Sequence, residues 1–180
     1  DENTTGIINA SSVKTLTGLI SDINTTFSSE GISDLGNQAI IISDSSIDAS
    51  LLNILDENTT GIINASSVKT LTGSYSDLNK AYASSGITDL TNKSIIVNSG
   101  KVSVSQVNTL GAITTGLLTA TVDDSDMNTL KGIIESGNAL SVKVTDISVA
   151  AEELTILDSK TTVAINLSSE TLTGTEREIL

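Results

Sequence analysis

Apolar residues recur along this chain in two rhythms. Short clusters (GIIN at 6–9 and 61–64, AIIIS at 39–43, SIIVN at 94–98, LLTATV at 117–122, LSVKV at 140–144 and VAINL at 163–167) are bounded by Gly, Asn, Thr and Ser. Such punctuation marks strands, and neighbouring apolar residues predict strands covered on both faces, as in parallel sheets. Elsewhere the apolar positions fall three and four apart: Val13, Leu16, Ile20, Ile23 and Phe27, then Val68, Leu71, Tyr75, Leu78 and Tyr82. That spacing is one face of an α-helix, so long helices are predicted along 13–27 and 68–82. Shorter ones are expected near 50–57, 105–112 and 149–158. Ser11, Ser50, Ser66, Ser105 and Ser125 each stand five residues before a leucine, namely Leu16, Leu55, Leu71, Leu110 and Leu130. A serine hydroxyl at a helix start accepts the unpaired N–H groups of the first turn.

The rhythm is itself repeated. Residues 1–18, DENTTGIINASSVKTLTG, return unchanged at 56–73, and 9 of the next 19 positions are identical as well. The period is therefore 55 residues, dividing the chain into copies at 1–55 and 56–110, a degenerate copy at 111–157 and a partial one at 158–180. In the third copy the long helix loses about twelve residues, roughly three turns at 3.6 residues each. A near-integral loss keeps the apolar stripe in register, so the helix shortens without displacing the strands. The long helix is expected to protrude.

Fixed-period self-similarity is the mark of a solenoid, in which no repeat buries its apolar face alone. The prediction is an α/β repeat solenoid of alternating parallel β-strands and α-helices, one segment over 1–180, with strand, long helix, strand and short helix in each 55-residue repeat. Val13, Leu16, Ile20, Ile23, Val68, Leu71, Leu78, Leu110, Leu130 and Leu157 would carry the stacking. One continuous sheet and two facing sheets both fit, the second accounting better for Ile40, Ile41 and Ile42 in a row. Surface positions such as Lys14 and Lys69 also repeat, which points to recent duplication or to uniform selection on a repeated face. The pattern reads as a window on a longer array.

Composition narrows the function classes. The 38% hydrophobic content supports a core, yet the aromatic residues are Phe27, Tyr75 and Tyr82 alone, so the core must be aliphatic. A net charge of −13, from 9 basic and 22 acidic residues, would repel nucleic acid and anionic membranes. No apolar run approaches the roughly 20 residues that span a bilayer, so no membrane insertion is expected in this segment. Without His or Cys there is no ordinary nucleophile–base pair, no disulfide framework and no histidine metal site. An enzyme is not expected.

The segments NTTGIINASSVKTLTG and SDLNKAYASSGITDL resemble the tandem repeats of giant secreted or cell-surface proteins of marine cyanobacteria and related bacteria. The resemblance covers 1–110 well and 111–180 loosely. It implies an extracellular or cell-surface adhesin, envelope component or fibre, with calcium-binding modules often present elsewhere in such chains, and it carries no catalytic motif.

Carboxylates are the remaining candidates for chemistry. Asp123, Asp124 and Asp126 in TVDDSDMNTL offer three oxygen ligands in four residues and would suit calcium. The plainer account is an acidic helix start complementing the helix dipole, and the same holds for Glu152 and Glu153. Carboxylates alone can cleave glycosides, which keeps a polysaccharide enzyme as a distant third reading. DENTTG could also hold a cation, or simply turn the chain. The threonine pairs at 4–5, 59–60, 114–115 and 161–162 recur in register and could line up as an ice- or mineral-binding ridge, although turn chemistry accounts for them more simply. Asn3, Asn24 and Asn58 begin N-x-S/T triplets. The expected role is structural, a spacer, stalk or fibre whose partners are neighbouring repeats or copies of itself. The alternative is an adhesive module for a cell-surface glycan, a mineral or ice face, or another cell.

Overall fold

The computed structural model describes residues 6–175, and the chain divides into two compact units, 1–93 and 94–180. Both are mixed α/β, every strand pair among the described residues is parallel, and there is no closed barrel.

The first unit runs β1 (Ile8–Asn9), β2 (Thr15–Gly18), α1 (Ile20–Phe27), β3 (Ile32–Ser33), β4 (Ala39–Ile42), β5 (Ser46–Asp48), α2 (Ala49–Asn58), β6 (Ile63–Asn64), β7 (Thr70–Ser74), α3 (Tyr75–Ala83) and β8 (Ile87–Thr88). Its ladders are β1–β3, β2–β4–β6–β8 and β5–β7. Registers such as Ile8↔Ile32, Thr15↔Ala39, Ser46↔Thr70 and Ile63↔Ile87 all step 24 residues along the chain. Each strand therefore meets one from the next pass, and two passes fit within each 55-residue copy. The helices cover the crossovers, α1 packing on α2 and α2 on α3.

The second unit runs β9 (Ser94–Ser99), α4 (Val104–Ile113), β10 (Leu118–Thr121), α5 (Met127–Leu130), β11 (Ala139–Ser141), β12 (Lys143–Val144), β13 (Ser148–Ala150), α6 (Ala151–Asp158), β14 (Asn166–Leu167) and β15 (Thr171–Thr173). Its ladders are β9–β10–β11, β12–β14 and β13–β15. The degenerate copy lies here. Thr119 pairs with Ala139, a step of only 20 residues, and the intervening α5 is a single turn of 4 residues. The helix has shortened while the flanking strands still pair.

Four expectations are corrected. Strands are covered on one face, not both: in β4, Ile40 and Ile42 are fully buried whereas Ile41 is 41% exposed, because side chains alternate along a strand. Ile95 and Val97 flank exposed Ile96 in the same way. The three consecutive isoleucines thus need no second sheet. Next, the predicted long helices are only 8 and 9 residues long (α1 and α3), shorter than α2 and α4 at 10 each. Their first turns are strands instead. Thr-Leu-Thr satisfies a period of two as readily as Leu16–Ile20 satisfies a helix, and β-branched threonine favours the strand. Gly73 then breaks the backbone with φ +150, a conformation that side-chain-bearing residues seldom adopt.

The predicted serine caps are also displaced. Ser11 and Ser66 sit in turns where their N–H groups bond Asn9 and Asn64 side chains. The caps are Asp48, Ser74, Ser103 and Asp126, with Gln106 completing a capping box on Ser103. Asp48 and Ser103, two positions before the predicted serines, and Asp126, one position after Ser125, have the extended backbone that a cap needs, while Ser74 caps α3 eight positions beyond Ser66. Finally, eight of the ten predicted stacking residues are buried, Leu71, Leu78, Leu110 and Leu130 completely, but Val13 is 36% exposed and Leu16 half-buried. Leu16 lies in β2 and Val13 just before it, and β2 is the edge strand of its ladder among the described residues.

Candidate functional site

The acidic segment 123–126 joins β10 to α5, and each carboxylate there has its own protein partner. Asp123 pairs with Lys101 at 3.2 Å. Asp124 reaches back and accepts the Val104 N–H at 2.7 Å, at the start of α4. Asp126 caps α5 by accepting the Thr129 N–H at 2.9 Å, and that bond holds its carboxyl below the ordinary 3.8. Stabilising the charged form is what lowers the value. Ser125 meets the Thr145 hydroxyl at 3.0 Å. Among the described residues, no three His, Cys, Asp or Glu side chains are gathered to hold a metal. Glu152 and Glu153 occupy the first turn of α6, and Glu153 pairs with Lys131 at 2.7 Å.

Asp124 has two counterparts that sequence spacing did not reveal. Asp44 accepts the Ile20 N–H at 2.8 Å, opening α1, and Asp146 accepts the Met127 N–H at 2.8 Å, opening α5. In each case the aspartate comes from the following pass, 24, 20 and 19 residues later for Asp44, Asp124 and Asp146. A negative charge at a helix start is favoured by the macrodipole and by the exposed N–H groups. The acidic residues therefore tie successive passes together. Asparagines do the same at the helices: Asn24 donates to Leu51 O, Asn53 to Asp77 O at 3.0 Å and Asn108 to Gly132 O at 2.8 Å.

The second DENTTG ends α2 with Asp56, Glu57 and Asn58 and turns toward β6 through Thr59, Thr60 and Gly61, with every polar side chain engaged. Asp56 accepts the Ser84 hydroxyl at 2.8 Å, Glu57 pairs with Lys80 and raises its pKa, and Asn58 donates to Ile54 O. Thr59 and Thr60 both donate to Gly36 O, and Thr59 also accepts the Gly61 N–H at 2.9 Å. Gly61 lies against the preceding pass so closely that a Cβ would fall 1.9 Å from Gln38 O. Thr114 accepts the Gly116 N–H, while Thr161 and Thr162 donate to Leu140 O and Asn138 O. These hydroxyls serve the turns and the neighbouring pass, as turn chemistry predicts. The first DENTT, including Asn3 and the threonines at 4–5, lies outside the described residues.

An open cleft of about 760 Å³ in the second unit is lined by Ser103, Ser105, Asn108, Thr109, Asp124 and Thr129. Hydroxyls line the cleft together with the Asp124 carboxylate, which already accepts the Val104 N–H. Among the described residues, no helix is long and apolar enough to cross a membrane. Comparison with family models, curated proteins and solved structures found no match to this chain.

Proposed function

We propose that this chain is a structural repeat segment, a spacer, stalk or fibre of a large extracellular or cell-surface protein, in which successive passes stack as a solenoid and copies associate into filaments or a surface layer. One observation carries the reading. The polar side chains that catalysis or metal binding would need (Asp44, Asp56, Asp124, Asp146 and the turn threonines) are bonded instead to the adjacent pass. Chemistry spent on holding neighbours together suits a mechanical role, since each repeat then depends on the next. The acidic surface would keep such a rod soluble.

The test is a series of chains carrying increasing numbers of the 1–55 block, measured by small-angle scattering and electron microscopy. A spacer lengthens by a constant increment per added block at constant width. A compact particle whose longest dimension does not grow would contradict the reading and favour an adhesive module with a single site.

A further inference from the structure

In the second unit, β9, β10 and β11 contain no charged residue, although 9 basic and 22 acidic residues are spread over the chain. Alternate side chains of these strands point inward and are buried: Ile95, Val97, Leu118, Ala120 and Leu140. The rest form an outward face. Ile96, Thr119 and Ala139 share one register line across it, Thr121 and Ser141 the next. Leu117 stands two residues before Thr119, and it and Ile96 are 47% and 37% exposed. Charge returns at one margin: two residues past Thr121 and Ser141 come Asp123, paired with Lys101 at 3.2 Å, and Lys143. A neutral centre with a charged rim is the composition of a contact surface. In the first unit β2, β4, β6 and β8 carry no charge either, and Ile41 stands outward at the position equivalent to Ile96, 55 residues earlier.

We propose that the outward face of β9, β10 and β11 is where a second copy of this chain packs, sheet on sheet. Charge selects the occupant. Two chains of net charge −13 repel each other, and burying an unpartnered carboxylate between them is strongly unfavourable. The charge-free face is where copies meet without that penalty. Relief favours a copy over a flat neutral surface such as ice or a crystalline polysaccharide, which would rest on Ile96 and Leu117 alone. A copy turned about a two-fold axis along β10 fills the low ground: each Ile96 lies over Ala139 of the other chain, Leu117 meets Leu117, and Thr121 faces Thr121. The sheets then pack about 10 Å apart. Three short strands spaced by about 4.8 Å offer far less than the roughly 800 Å² per partner of a stable complex. Pairing is therefore weak for one face and strengthens when many faces are linked in one chain. The proposal rests on the structural reading above, in which copies associate, and names the surface they use.

The test is sedimentation equilibrium of the intact chain from about 10 μM to about 1 mM, at about 0.15 M salt so that distant surface charges are screened. A reversible dimer is expected in the upper part of that range. Leu117→Glu should weaken it at least about tenfold. Ile134→Glu, which puts the same charge on an isoleucine 68% exposed in the turn between α5 and β11, should change it less than about twofold. A second measurement adds no charge: a nitroxide on Thr121→Cys should show dipolar broadening at high chain concentration, because the two-fold sets it opposite its own copy, and one on Ile134→Cys should not. Absence of a dimer at about 1 mM would overturn the proposal, as would a dimer that both glutamate variants weaken equally. So would a chain that stays monomeric yet adsorbs to ice or crystalline cellulose through Leu117, which would make a neutral surface the occupant. The length series is read on single dilute chains and can succeed whatever the outcome here, so failure of this contact and failure of the spacer reading are distinguishable.

Discussion

Residues 6–18 and 61–73 share one sequence and one local structure, yet differ in what covers them. Both contain a two-residue strand, an Asn-centred turn and a Thr-Leu-Thr strand. Even the next-pass bonds repeat, Ile8 N–H to Gly31 O and Ile63 N–H to Gly86 O, each at 2.8 Å. Burial does not repeat. Val68 and Leu71 are 1% and 0% exposed, against a 36% exposed Val13 and a half-buried Leu16. Local structure is thus set by the segment, whereas its core is completed by the pass before it. If the passes stack as proposed, stability belongs to the interfaces between them.

The largest expected effect separates the two leucines. Leu71→Asp places a charge where no water reaches and should cost more than about 4 kcal/mol, unfolding the first unit at ordinary temperature. Leu16→Asp should cost about 1 kcal/mol or less, and equal losses in chemical denaturation would erase the distinction. Gly61→Ala comes next, at about 2–4 kcal/mol, because the new methyl meets the rigid Gln38 carbonyl. Gly6→Ala, in the exposed copy, should change stability by less than about 0.5 kcal/mol.

A smaller effect comes from Asn53→Ala, which removes the bond from α2 to Asp77 O in α3 and should cost about 1–2 kcal/mol. The corresponding change at Asn108 should cost less, since that bond is exposed. The smallest is a pH effect in the degenerate copy. Asp126 has a folded-state pKa below 3.8, so its cap stabilises the fold above that value and is lost as pH falls through the depressed one. Asp126→Asn should remove that acid-side loss, seen as a flatter stability profile below about pH 4. An unchanged profile would place the acid sensitivity elsewhere.

The strands in clusters such as AIII and SIIVN were legible because those clusters, bounded by Gly and Asn, declare themselves within a few residues, whereas β3, β5, β8, β13 and β15 are two or three residues long, carry no such cluster and were not expected. The helices at 49–58, 104–113 and 151–158 were legible for the same reason. The Leu16–Ile20 and Leu71–Tyr75 stretches were not, because Thr-Leu-Thr-Gly fits both periodicities and the decision falls to strand pairing with residues 24 away. Local periodicity cannot see that partner. Aspartates at 44, 124 and 146 were hidden by the same distance: each caps a helix in the previous pass, where sequence rules look within three residues. The turn role of the threonines was read correctly from Thr-Thr-Gly, since their bonding begins with a glycine two positions on.

The central claim, that an identical segment gains its stability from the pass before it, is tested most directly by native-state amide exchange at Ile8 and Ile63. Their neighbours in sequence match, so intrinsic exchange rates are equal, and so are the bonds the two amides make. The account predicts that Ile63 exchanges at least about tenfold more slowly than Ile8, with Ala65 slower than Ala10 in the same sense. Equal protection at both pairs would show that each copy stands on its own contacts, and would contradict the account.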